Sequence, residues 1–137
     1  MTRSLTVSIV VVVVLLTGCG GAGETAPLKE VGRVRSGPLD VVLLSAADTL
    51  KQGKGTFVVE FRDGSGGLVD VGAVMVSASM SMPGMAPMFG ESVVMPGPTK
   101  GRYEVSSDLG MAGAWRLDIA WSGPRGQGQA SVRATAS

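Results

Sequence analysis

Four methionines fall within nine residues: Met80-Ser81-Met82-Pro83-Gly84-Met85-Ala86-Pro87-Met88. Their thioethers are soft, neutral donors, and soft sulfur selects Cu(I) over zinc, calcium or magnesium. On an extended backbone Met80 and Met82 lie on one face, about 6.5 to 7 Å apart. Pro83-Gly84 then turns the chain so that Met85 or Met88 can fold back towards them. Three thioethers converging in this way would make a Cu(I) site, and Met111 is a further candidate ligand. The same residues support a second reading. Methionine is also a flexible gap-filler and an adaptable contact surface, so the loop could pack on one end of a fold or meet a peptide without binding metal. In an oxidising compartment thioethers have an advantage over thiols, because they form no disulfides.

The remaining composition narrows the chemistry further. The chain of 137 residues has no histidine and one cysteine. This excludes a histidine-based triad, His-ligated zinc or haem, an intrachain disulfide and CxxC metal or redox motifs. It also removes the imidazoles that a Cu(II) site would use. The carboxylates Asp40, Asp48, Asp63, Asp70 and Asp108 stand near expected strand ends or turns, where aspartate is ordinary, and nothing pairs them. The run Gly64-Ser65-Gly66-Gly67 lacks the lysine and following helix of a phosphate loop. No serine sits in a nucleophile elbow. The sequence therefore reads as that of a protein that is not an enzyme. A formal charge of +1 gives no basic patch for nucleic acid.

The N-terminus supplies the compartment. Arg3 precedes an apolar block, Val7 to Leu16, interrupted only by Ser8. The block suits the h-region of a signal peptide and is short for a membrane span, which needs roughly 20 residues. It ends in Leu16-Thr17-Gly18-Cys19, which resembles the bacterial lipobox. That resemblance implies cleavage after Gly18 and acylation of Cys19, with lipid chains anchoring the protein to the bacterial membrane at the periplasmic face or the cell surface. The expected organisation is a leader at 1–18, a lipidated tether at 19–37 and one domain at 38–137. Residues Gly20 to Ala26 read as flexible tether, and the stretch to about Pro38 as tether or irregular lead-in. Removing the leader removes Arg3, so the mature side chains balance at zero charge and give no steering towards anionic partners.

The elements that must position the methionines read as strands. The expected strands are Leu39 to Ala46, Thr56 to Arg62, Val69 to Met80, Ser92 to Met95, Arg102 to Ser107, Ala114 to Trp121 and Gln129 to Ala134. Turn residues separate them, and this spacing predicts an all-β fold, a small Ig-like β-sandwich of about seven antiparallel strands. Phe57, Val59 and Phe61 share one face, as do Trp115, Leu117, Ile119 and Trp121; these are the expected core. Tyr103, near a strand start, can hydrogen-bond back across a corner. Gly113 permits a tight bend before the next strand.

Three short motifs in order, Met80-Ser81-Met82-Pro83-Gly84-Met85, Gly101-Arg102-Tyr103 and Met111-Ala112-Gly113-Ala114-Trp115-Arg116-Leu117, resemble the YtkA-like domain, which is related to FixH-like proteins. The resemblance spans roughly residues 38 to 122. It implies a small extracytoplasmic Ig-like sandwich, associated with copper handling, cation export or oxidase maturation, and without catalysis. It also points to Trp115 as a ring that could shield a bound ion through a cation–π contact. Many relatives carry histidine beside the methionine motif, and this chain has none.

Two functional expectations follow. In one, the protein is a lipid-anchored module for Cu(I) binding and transfer in metal homeostasis, using Met80, Met82 and Met85 with Met88 or Met111. Its partner would be a copper transporter, an efflux protein or an oxidase-assembly protein. In the other, it is an adaptor without metal that docks the methionine-rich loop on an efflux or oxidase-assembly protein.

Overall fold

Apolar side chains at every second position, many of them β-branched or aromatic, favour a pleated backbone that buries one face. The chain uses this pattern throughout residues 27–137, the part that a computed structural model describes. The leader, Cys19 and the tether Gly20–Ala26 lie outside the described residues. Eight strands follow one another: β1 (Lys29–Ser36), β2 (Leu39–Ser45), β3 (Gly53–Arg62), β4 (Ala73–Met80), β5 (Met88–Pro96), β6 (Arg102–Leu109), β7 (Gly113–Gly123) and β8 (Gly126–Ala136). All neighbouring strands are antiparallel, in the order β1-β2-β3-β6-β5-β4-β7-β8. No helix occurs among the described residues.

The architecture is all-β, as expected, with eight strands where seven were read. One layer contains β1, β2, β3, β6 and the second half of β5; the other contains the start of β5 with β4, β7 and β8. β5 belongs to both layers. Its first residues, Met88 to Gly90, pair with β4, and Glu91 to Pro96 pair with β6. Gly90 stands where the strand changes layer, and a Cβ there would lie 2.9 Å from Leu109 Cδ2 and 3.0 Å from the Asp108 carbonyl oxygen. The layers curl towards a barrel. Ser36 Oγ donates to the Gln129 carbonyl at 3.2 Å, bringing β1 beside β8. Leu50 forms a parallel bridge with Ala136 after β2.

Both expected core faces are buried. Phe57, Val59 and Phe61 from β3 meet Trp115, Leu117, Ile119 and Trp121 from β7 within one cluster. Phe61 sits edge-on to Trp121 and Tyr103, with ring centroids 5.1 and 5.6 Å apart.

Three expectations need correction. The stretch read as tether or lead-in up to residue 37 contains β1, which pairs with β2 from Lys29 to Ser36. The domain therefore begins before residue 38. A register shift between Glu30 and Gly32 breaks the period of two, so Val31 and Val34 both pack on the core although three residues apart. The run from Val69 to Met80 is not one strand. Asp70 Oδ1 accepts the Gly72 N–H at 3.0 Å, and β4 starts at Ala73. Val69 and Val71 are buried nonetheless, so their apolarity reflects the core rather than strand pairing. Finally, β5 starts at Met88, four residues earlier than expected.

Candidate functional site

The methionine segment forms the β4–β5 hairpin at one end of the sandwich. Met80 closes β4, Met88 opens β5, and the two are direct register partners. Such partners hold their Cβ atoms about 4.5 to 5.5 Å apart on one face. Here that face is the inner one: Met80 is buried, and Met88 is half-buried against the core. Between them the Met85 N–H donates to the Met82 carbonyl at 3.2 Å, closing a turn across Pro83-Gly84. Proline at the first central position and a glycine with φ of 77° at the second are what a type II turn requires. The turn brings the Cα atoms of Met82 and Met85 within about 7 Å. Met82 leans on the core, while Met85 is 63% exposed.

Met111 approaches from the β6–β7 loop. A Cβ at Gly113 would stand 3.1 Å from Met80 Cε, and one at Gly110 would stand 3.8 Å from Met88 Cε. The backbone on either side of Met111 therefore rests on the methyl ends of the two strand methionines. The Trp115 indole N–H donates to the Met111 carbonyl at 2.9 Å and holds the loop there. The Met111 side chain remains exposed. The five methionines are thus arranged in two tiers at one end of the fold. Met80, Met82 and Met88 lie on the core side, and Met85 and Met111 lie outside.

Trp115 plays a different part from an exposed shield. Only 1% of it is accessible, and it packs in the core cluster. The register pairing Ser79 with Arg116, extended by one step, sets Trp115 level with Met80. Its ring belongs to the floor of the hairpin, and its N–H is committed to the neighbouring loop. Residue types alone did not single out Gly110, and they marked Gly113 for a bend and not for a close approach. Their role is to let backbone approach a side chain, and a strand pattern carries no sign of that.

The donor set is chemically uniform. The connection 81–87 contains no charged residue. Among the described residues no cluster of three or more His, Cys, Asp or Glu side chains could hold a hard metal ion. What the hairpin offers is soft neutral sulfur in an apolar setting, which fits a soft monovalent ion such as Cu(I).

The other two motifs are spent on architecture. Arg102 lies 3.5 Å from the buried Glu60 carboxylate, which Arg62 also binds. Tyr103 Oη donates to the Gly72 carbonyl at 2.7 Å, the corner-spanning bond its position suggested. Burial, reinforced by the nearby Asp70 charge, raises its pKa above the ordinary tyrosine value. Gly113 takes a φ of 134° at the bend into β7. Asp118 is held below the usual carboxylate range by the Ser131 hydroxyl and, after it, by Arg116; this network lies on the outer face of β7 and β8.

The sequence matches the YtkA-like family over residues 33–120, from β1 into β7. Comparison with the curated proteins gives no match, and comparison with solved structures gives none.

Proposed function

This chain belongs to the YtkA-like family, and we propose that it is a lipid-anchored extracytoplasmic module that binds and passes on Cu(I) in metal homeostasis. The observation that carries this reading is the direct pairing of Met80 with Met88, with Met82 and Met85 brought together by the turn between them. Met82 and Met88, half-buried, are the primary ligands, with Met80 as the floor and Met85 or Met111 as the exchangeable outer donor. Bound Cu(I) would be held by neutral sulfur alone. Such a site releases its ion by ligand exchange more readily than a thiolate site, which suits delivery to a copper transporter, an efflux protein or an oxidase-assembly protein. Acylated Cys19 would hold the module at the membrane.

Anaerobic titration of the purified protein with Cu(I), against a competing chromophoric ligand, tests this. One equivalent should bind. Met82→Leu and Met88→Leu should each weaken binding about tenfold or more, a change of roughly 1.4 kcal/mol. Leucine keeps the apolar volume, so the fold should survive. Met75→Leu and Met95→Leu, on exposed strand positions away from the hairpin, should bind as the parent does. Equal affinity in all four variants would refute the site. The exposure of Met85 favours a second reading, an adaptor that docks the methionine turn on an efflux or oxidase-assembly protein without metal. Under that reading the leucine variants would keep partner binding.

A further inference from the structure

The outward face of β5 is more apolar than a strand that meets only water needs. Phe89, Val93 and Met95 point away from the core and are 79%, 62% and 60% exposed. The inward positions between them hold Gly90, Ser92 and Val94; Val94 packs against the core, and the Ser92 hydroxyl is buried without a hydrogen-bond partner. Large apolar groups therefore stand on both faces of β5, Met88 and Val94 against the core and Phe89, Val93 and Met95 towards solvent. Single exposed hydrophobics need no explanation, but a row along one strand marks a contact surface.

The same strand offers backbone. β5 edges both layers: Met88–Gly90 pair only with β4, and Glu91–Pro96 only with β6. The side of Glu91–Pro96 away from β6 carries no strand among the described residues. An edge of this kind templates the addition of another extended segment. Natural edges are commonly blunted with lysine, and β5 has none.

Charge decides which segment fits. Glu91 on β5 sits directly opposite Asp108 on β6, and Glu104 sits opposite Met95. Like charges placed directly opposite are destabilising. Among the described residues, no ion pair engages these three carboxylates. Lys54 on β3, directly opposite Asp108, is the one cation in register with them among the described residues, and it too forms no ion pair there. A second copy docked on this edge would bring its own Glu91, Glu104 and Asp108 against these, so self-pairing is opposed.

We propose that the β5 edge and its outward row form a docking site for an extended segment of a partner protein whose every second residue, on the outward face, is apolar or else lysine or arginine, because Phe89, Glu91, Val93 and Met95 share that face. The apolar residues would cover Phe89, Val93 and Met95, and the basic residues would neutralise Glu91, Glu104 and Asp108. The row leads back along β5 to the methionine turn, so such a segment would lie beside the hairpin. The proposal does not depend on metal.

The test uses the full chain in mild detergent, free of copper, with a short synthetic peptide in which threonine occupies one face and valine and lysine take turns on the other (Val-Thr-Lys-Thr-Val-Thr) as probe. The same peptide with glutamate in place of lysine is the control. The lysine peptide should bind saturably and slow amide exchange over 88–96. The glutamate peptide should not bind. Glu91→Lys and Val93→Ser, both at exposed positions, should each weaken binding about tenfold, with a cooperative thermal transition no lower than about the parent's confirming that they fold. Absence of binding, protection elsewhere, equal binding of both peptides, or unaltered affinity in the variants would overturn the proposal. So would β5-dependent self-association that excludes the peptide, or protection of 88–96 by lipid vesicles in place of the peptide.

Discussion

Replacing Trp115 with alanine should cost about 3 to 5 kcal/mol of stability, the usual range for removing a large aromatic side chain from a core. In a domain of this size that lowers Tm by more than about 10 °C. Trp115 is almost fully buried, and it contributes to both tiers of the hairpin end. Its ring fills the core at the level of Met80, and its N–H fastens the Met111 carbonyl. Trp115→Phe separates the two roles. Phenylalanine keeps much of the apolar contact but leaves the Met111 carbonyl without its donor, at a cost of about 1 to 3 kcal/mol if that group stays buried. Amide exchange over 110–113 should accelerate in this variant while β3 and β8 keep their protection. A Trp115→Phe protein with parental Tm and unchanged exchange at 110–113 would show that the hydrogen bond does not secure the loop.

Gly101→Ala should destabilise by about 3 kcal/mol or more, and far more than Gly37→Ala. Both glycines have positive φ, 86° and 59°, where a Cβ alone costs about 1 to 2 kcal/mol. At Gly37 a Cβ would meet nothing within 4 Å. At Gly101 it would stand 2.6 Å from the Val69 carbonyl oxygen and 2.8 Å from the Val69 nitrogen. Neither atom can easily withdraw. The Val69 N–H donates to the Phe61 carbonyl at 2.8 Å, and the Phe61 N–H donates to the Gly101 carbonyl at 2.9 Å. The substitution therefore pushes on two backbone bonds at the start of β6, two residues before Tyr103. Denaturant unfolding of the two variants checks this. Equal losses would mean that the close approach at Gly101 relaxes without cost.

Much of this architecture is legible in the sequence, for a simple reason. β3 and β7 are central strands with one face in the core, so strict alternation of aromatic and branched residues marks them, and their buried sets are the ones observed. Tyr103 was legible because a phenol at a strand start has few other ways to satisfy its hydroxyl. β1 was not, because its register shift places Val31 and Val34 out of phase with any period of two. The start of β5 was hidden for a related reason. Phe89 and Val93 face outward while Met88 and Val94 face inward, so hydrophobicity falls on both sides of the strand and shows no period of two. For the methionines, spacing suggested that they could converge. It did not reveal that Met80 and Met88 pair across strands, or that the glycines flanking Met111 rest on their methyl groups. Those contacts join segments far apart in the chain.

The residues of the three motifs therefore divide by role. Gly101, Tyr103, Gly113 and Trp115 each have a specific structural duty, in a bend, a corner or a loop anchor. The methionines have none that leucine could not fill, since Met80, Met82 and Met88 use only their apolar bulk in packing. Their recurrence at one end of the fold is the reason to assign them chemistry.

X-ray absorption at the copper edge, on protein loaded with one equivalent of Cu(I) and desalted anaerobically, tests that assignment most directly. A thioether site predicts retained copper with a first shell of sulfur only, reduced in sulfur number by Met82→Leu or Met88→Leu. Copper lost on desalting, or a first shell of nitrogen and oxygen unaffected by those substitutions, would contradict it.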